Sequence, residues 1–263
     1  MMLETRALGF AYGDEHILDN LDLAIPEGRI TALVGANGSG KSTILKNLAR
    51  ILKPGRGAVY LDQRRLSELP TKAIAREIAV LPQSPEAPAG LLVRELVGYG
   101  RFPWQKPFAA MSAEDQTAIE TALRLTGMVD FADRPVGTLS GGQRQRAWIA
   151  MALAQDSTIL LLDEPTTFLD MAHQLEVLSL LERLNSQQAR TIVMVVHDLN
   201  HALRYADHIV VIRAGQVIAA GQPDTVLTPE ILSAAFGVDA DLIKDPRSGK
   251  SICVPFALSR DKA

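Results

Sequence analysis

The 263 residues carry 47% hydrophobic and 22% charged side chains and a formal net charge of -3. That is enough apolar material for the core of one large α/β domain, or of a core with a small insertion, and the absence of a dense Lys/Arg run argues against a nucleic-acid-binding surface. The start "MMLETRALGF" is not leader-like, no apolar run nears the roughly 18–20 residues that span a bilayer, and the lone Cys253 permits no internal disulfide, so a soluble protein of a reducing compartment is expected unless a partner holds it at a membrane.

In chain order, "ETRALGFAYGDEHILDNLDLAIPEG" predicts two antiparallel strands around a Tyr-Gly-Asp turn. The runs "RITALVG", "GAVYLD", "EIAVLP", "TILLLDE", "TIVMVVHD" and "HIVVIRAG" lack polar alternation and read as buried strands of a mainly parallel sheet, with helical patterns between most of them. The expected fold class is α/β with ligand loops at the carboxyl ends of the strands. One stretch interrupts the alternation. Residues from about 84 to 156 show helical patterns and no convincing strand, and they follow "LPQSPEAPAG", where Pro82, Pro85 and Pro88 block regular structure and suggest a hinge. The expected organisation is therefore an α/β core of residues 1–83 and 157–222, a helical subdomain over about 84–156, and an appendage at 223–263 with the helix "TPEILSAAF" and a Gly-centred "PRSGKSICV" hairpin.

"GANGSGKST" fits the phosphate-loop pattern from Gly35 to Ser42, between the strand "ITALV" and the helical "STILKNLARIL". Glycines in such a loop let backbone N–H groups curl around phosphate. Lys41 reaches the β- and γ-phosphates, and the Ser42 hydroxyl suits Mg²⁺. Gly35, Asn37, Gly38, Ser39, Gly40, Lys41, Ser42 and Thr43 are the candidate nucleotide contacts. "TILLLDE" supplies an acidic strand end, where Asp163 can hold the magnesium through water and Glu164 is placed to take a proton from an attacking water. Alone, the same residues would read as a solvated acidic turn.

A second glycine motif, "LSGGQRQRAW" at 139–148, raises the question of what it adds to the first. Ser140 and Gln143 form a Ser-x-x-Gln capping box, and a capped helix start with two glycines is also an exposed anion site. With Gly35–Ser42, Leu139–Gln143 and Asp163–Glu164 in this order, the chain resembles the ATPase subunit of ATP-binding cassette (ABC) transporters over nearly its whole length, which implies a P-loop NTPase core, an N-terminal antiparallel β subdomain and a helical insertion. The resemblance implies that Ser140, Gly141, Gly142 and Gln143 face the phosphate loop of a second copy of the chain, so that two chains sandwich two ATP molecules.

The resemblance also assigns Tyr12 to stacking on adenine, Gln83 to sensing the γ-phosphate and Mg²⁺, Asp170 to the loop "TTFLD", and His197 to the switch after the last core strand. Read without it, Tyr12 is a turn aromatic, Gln83 a solvated loop glutamine and Asp170 an N-cap of "MAHQLEVLSLLERL". "HDLNH" spaces His197 and His201 like a metal-binding helix pair. However, the zinc pattern needs glutamate after the first histidine and Asp198 stands there, better suited to N-capping a helix that begins after His197. His16, His173, His201 and His208 carry no motif and read as structural or solvated.

With no membrane span in the chain, the resemblance implies separate multi-span permease subunits as partners, a substrate-binding protein acting indirectly, and a peripheral position on the cytoplasmic face of the bacterial inner membrane. Within the family the likeness is to iron-siderophore importers and their vitamin B12 and haem relatives, carried by "LPQSPEAPAGLLVRELVGYGRFPWQ", "LSGGQRQRAWIAMALAQD" and "DEPTTFLDMAHQLEVLSLL". It implies ATP hydrolysis that powers ferric-siderophore uptake, with B12 or haem as alternative cargo and a soluble, non-transport cassette ATPase as the other class. The aromatic, basic stretch "GYGRFPWQKPF" at 98–108 is a candidate permease-docking surface, and packing of Phe102 and Trp104 within the insertion is equally open.

Overall fold

The structure, a computed structural model, describes residues 2–106 and 110–259. Pro107 and Phe108 of the aromatic stretch, and the last four residues of the appendage, lie outside the described residues. The chain forms two compact units, Met1–Glu68 with Thr191–Ala263, and Leu69–Arg190.

The first unit opens with β1 (Leu3–Tyr12) and β2 (Glu15–Ile25), an antiparallel pair closed at Tyr12 and Glu15 on the turn at Gly13. β3 (Ile30–Val34) leads into the phosphate loop and α1 (Lys41–Leu48). β4 (Arg56–Leu61) and the short β5 (Arg64–Arg65) complete a four-stranded antiparallel sheet of order β2-β1-β4-β5. "GAVYLD" thus belongs to this sheet and not, as its pattern predicts, to the parallel one. A short apolar run looks the same in either sheet. What places it is a close approach to β1, since a Cβ on Gly57 (φ +67°) would stand 2.2 Å from the carbonyl oxygen of Ala7.

The second unit holds α2 (Thr71–Glu77), β6 (Ile78–Leu81), α3 (Val93–Tyr99), α4 (Ala113–Leu125), α5 (Gly141–Ala154), β7 (Ile159–Asp163) and α6 (Met171–Gln188). β6 and β7 pair in parallel. α3, α4 and α5 pack on one another around buried Leu96, Val97, Ile119, Leu123 and Ile149. Arg101 and Asp115 form an ion pair at 2.8 Å within this helical layer, with side chains only 8% and 6% exposed.

The first unit resumes at β8 (Thr191–Val195), α7 (Leu199–Tyr205), β9 (His208–Arg213) and β10 (Gln216–Gly221). β3 lies between β8 and β9, parallel to both, and every residue of β3 and β8 is buried, as continuous apolar strands require when both faces are covered. β10 adds antiparallel to β9, and no apolar run predicts it, because its residues are alternately exposed and half-buried. α8 (Pro223–Val226), α9 (Pro229–Phe236) and the antiparallel hairpin of β11 (Val238–Lys244) and β12 (Ser251–Leu258) follow.

Candidate functional site

The phosphate loop is shaped by close contacts that only glycine allows. A Cβ on Gly35 would stand 2.1 Å from the carbonyl oxygen of Ile212, and Gly40 N-caps α1 with φ 103°. Ser39 N donates to the Ala36 carbonyl at 3.2 Å, and Gly215 N donates to Ser39 at 3.0 Å. Lys41 is buried, and its ammonium donates to the carbonyls of Gly35 (2.8 Å) and Ala36 (2.9 Å), which holds the charge over the loop. The buried Ser39 hydroxyl has no hydrogen-bond partner among the described residues, as expected of a cradle lined for an anionic ligand. Ser42 is half-buried at the second residue of α1.

Strand register places His197. β3 and β8 are parallel with Leu33 opposite Val195, so Gly35 and His197, each two residues further on, leave the sheet at the same level. Asp198 N-caps α7, its carboxylate accepting from Asn200 N at 2.7 Å, so His197 precedes the helix that carries His201. Tyr12 ends β1 as a 47% exposed residue, its ring edge-on to Phe10 with centroids 4.8 Å apart, an arrangement compatible with stacking on the free face.

The same register rule operates in the second unit. Leu81 of β6 lies opposite Leu162 of β7, which brings Gln83 and Glu164 face to face. Gln83 Nε2 donates to Glu164 Oε2 at 2.7 Å, and Thr167 Oγ1 donates to the same oxygen at 2.9 Å. Glu164 takes φ +54°, a conformation a side chain adopts at a cost of about 1–3 kcal/mol. Its neighbour Asp163 is 2% exposed. Ser42 and Asp163 each offer a hard oxygen donor of the kind Mg²⁺ takes. Among the described residues no group of three His, Cys, Asp or Glu forms a protein-only metal cage.

The signature motif begins α5. Ser140 Oγ accepts from Gln143 N at 3.3 Å while Gln143 Oε1 accepts from Ser140 N at 3.1 Å, the expected capping box. Ser140 and Gly141 are exposed, but Gly142 is buried, and a Cβ there would stand 2.3 Å from Cδ2 of His173. Asp170 N-caps α6: its Oδ1 accepts from His173 N at 2.9 Å and pairs with His173 Nδ1 at 2.7 Å. The backbone N–H of His173 first, and its ring second, hold the Asp170 carboxyl below the usual carboxylate range. His173 therefore belongs to the site's surroundings, although it carries no motif. The available signal was its position three residues after an N-capping aspartate.

Trp104 is held by its own chain. Its Nε1 donates to the Gln155 carbonyl at 2.7 Å, and Arg76 lies over its ring at 4.7 Å. Phe102 is 57% exposed and stacks on the half-exposed Tyr99 with centroids 5.1 Å apart.

The family profile described as ABC transporter matches residues 18–167. The iron(3+)-hydroxamate import ATP-binding protein FhuC of Bacillus subtilis is 52% identical, over 99% of this chain and 97% of that protein. The ferric enterobactin transport ATP-binding protein FepC of Escherichia coli is 44% identical, over 97% of this chain and 94% of its own length. Among solved structures, the ATP-binding cassette MJ0796, a dimer in a post-hydrolysis state bound to ADP and Pi, superposes with a TM-score of 0.73 at 31% identity, over 84% of this chain and 98% of that one.

Proposed function

We propose, for a chain that belongs to the ABC transporter family and is an ATPase of it, that two copies close head to tail over two ATP molecules to drive uptake of a ferric siderophore. The observation that carries the shared site is the start of α5, where Ser140 and Gly141 are exposed and the cap is closed by Gln143 of the same chain. Such a helix end attracts phosphate charge. In this reading the phosphate loop of one copy, Gly35, Asn37, Gly38, Ser39, Gly40, Lys41, Ser42 and Thr43, holds the triphosphate and Tyr12 stacks on the base. The partner's Ser140, Gly141, Gly142 and Gln143, with its Asp170, complete the site.

Ser42, Gln83 and Asp163 would hold Mg²⁺, which neutralises phosphate charge when bound. Glu164 accepts the proton of the attacking water as the water oxygen bonds the γ-phosphorus and the bond to the β-phosphate oxygen breaks. His197 donates a hydrogen bond to the γ-phosphate. Closure follows only if ATP binds the closed pair better than the open one. Residues 1–83 and 157–222 act as the nucleotide-binding core, 84–156 as the helical subdomain that pivots at Gln83, and 223–263 as the appendage.

No described helix is long and apolar enough to cross a membrane, so the reading requires a multi-span permease, fed by a substrate-binding protein, with this chain on its cytoplasmic face. The outward Tyr99–Phe102 pair is the surface assigned to the permease. The names of the relatives support siderophore cargo. The test is uptake of radiolabelled ferric hydroxamate in a gene-deletion strain, with vitamin B12 and haem as controls. Loss of ferric-siderophore uptake alone is expected, and loss of B12 or haem uptake alone would reassign the cargo.

A further inference from the structure

The shared-site reading gives roles to the signature residues and to Asp170 but says nothing of what holds them together. In the second unit they meet across α5 and the start of α6. The His173 ring occupies the space a side chain on Gly142 would take, and its Nδ1 is bonded to Asp170. Beneath Gly141, Phe168 O and Leu169 Cδ2 lie 3.9 Å from where a Cβ would be. One turn further along both helices, Arg146 donates to Glu176 at 3.0 Å. The loop that ends in Asp170 is therefore fastened to the signature helix at successive levels, His173 against Gly142 among them.

The surface in front of this fastening is bare. Phe168 is 87% exposed in a left-handed conformation of φ +63°, and Met171 is 77% exposed. Two large apolar side chains on either side of Asp170 are what a surface covered by another chain presents.

We propose that His173 is a positioning residue: it ties the Asp170 loop to the signature helix, so that Ser140, Gly141 and Asp170 meet the second copy of the chain as one preformed surface. The proposal deepens the shared-site reading and rests on it. It also explains why the second signature glycine must lack a side chain. Its φ is not left-handed, so the conflict at Gly142 is with the imidazole rather than with the backbone.

The test uses the full-length chain and two measurements. On the nucleotide-free monomer, amide hydrogen exchange is followed at residues 140–144 and 166–173. In a Glu164→Gln background with ATP and Mg²⁺, self-association is measured by sedimentation. His173→Ala should raise exchange in both segments together and weaken ATP-dependent association by about tenfold, the scale of one lost hydrogen bond to a charged group, with ATP affinity of the monomer unchanged. His173→Asn, which keeps a donor near the Nδ1 position, should recover much of the association. Gly142→Ala should displace the ring and loosen the same two segments. Combined with His173→Ala it should add little, because the two changes break one tie.

Loosening confined to 166–173, unchanged association of His173→Ala, or additive effects of the two substitutions would overturn the proposal. If the Glu164→Gln parent itself stayed monomeric with ATP, the shared-site reading would fall, and the exchange measurement alone would decide whether the tie exists.

Discussion

Gln83 Nε2 and Glu164 Oε2 are 2.7 Å apart although the residues are 81 positions apart in the chain. Parallel pairing of β6 and β7 puts each of them two residues beyond the opposed Leu81 and Leu162. The candidate base is thus oriented before any substrate arrives, with Thr167 as second donor to the same oxygen. Glu164→Gln should lower ATP hydrolysis by about 10²- to 10⁴-fold, the usual worth of a general base. Thr167→Val removes one orienting hydrogen bond and should lower kcat by about fivefold, equivalent to roughly 1 kcal/mol. Steady-state phosphate release, with nucleotide affinity measured alongside, checks both; unchanged kcat in Glu164→Gln would remove the base assignment.

Gly35 is held where its added Cβ would stand 2.1 Å from the Ile212 carbonyl oxygen, so the loop and the end of β9 cannot both keep their places in Gly35→Ala. Forced backbone displacement of this kind costs about 1–3 kcal/mol. In a chain of this size that lowers Tm by roughly 2–6 °C. Calorimetry should show that drop, and titration with a fluorescent ATP analogue should show loss of binding, because the loop carbonyls that receive Lys41 move with it.

The buried Arg101–Asp115 pair makes stability depend on acid. Burial by itself raises the Asp115 carboxyl, but hydrogen bonds from Arg101 and Ser112, with the Arg101 charge, hold it below its usual 3.8. A carboxylate lowered on folding stabilises the folded chain at pH values above the unfolded pKa, and that contribution is lost as pH falls through the folded value. Arg101→Met leaves the charge buried and unpaired and should cost about 3–5 kcal/mol at pH 7. The difference from the parent should be smaller at about pH 4 than at pH 7, because in the variant Asp115 has lost Arg101, burial raises its carboxyl, and it takes up a proton while the parent's is still ionised. Denaturant unfolding at both pH values decides it, and a deficit that stays constant with pH would count against the pair.

The Asn200 amide clamps the C-terminal hairpin to α7. Asn200 Oδ1 accepts from Cys253 N at 2.8 Å, and its Nδ2 donates to Cys253 O at 3.3 Å. Burial first, and Asp198 second, push the Cys253 thiol up, so it should react slowly at neutral pH. Asn200→Ala leaves two backbone groups unpaired, at about 1–3 kcal/mol. Labelling of Cys253 by a chromogenic disulfide should then accelerate, and an unchanged rate would show that the clamp does not hold β12.

What the sequence determined by itself was local. The phosphate loop, the capping box of Ser140 and Gln143, and the N-caps at Asp170 and Asp198 are set by residues within a few positions of one another, where backbone sterics and short-range hydrogen bonds leave little choice. Glu164 and Lys41 could be named for the same reason. Tertiary structure decided the pairs that depend on strand register and close packing: β4 joining the antiparallel sheet through Gly57, Gln83 meeting Glu164, and Asn200 reaching Cys253. It also turned His173 from an unremarkable histidine into the side chain against Gly142. These pairings arise from contacts between segments tens of residues apart, and no periodicity or spacing within either segment encodes which partner the fold will bring.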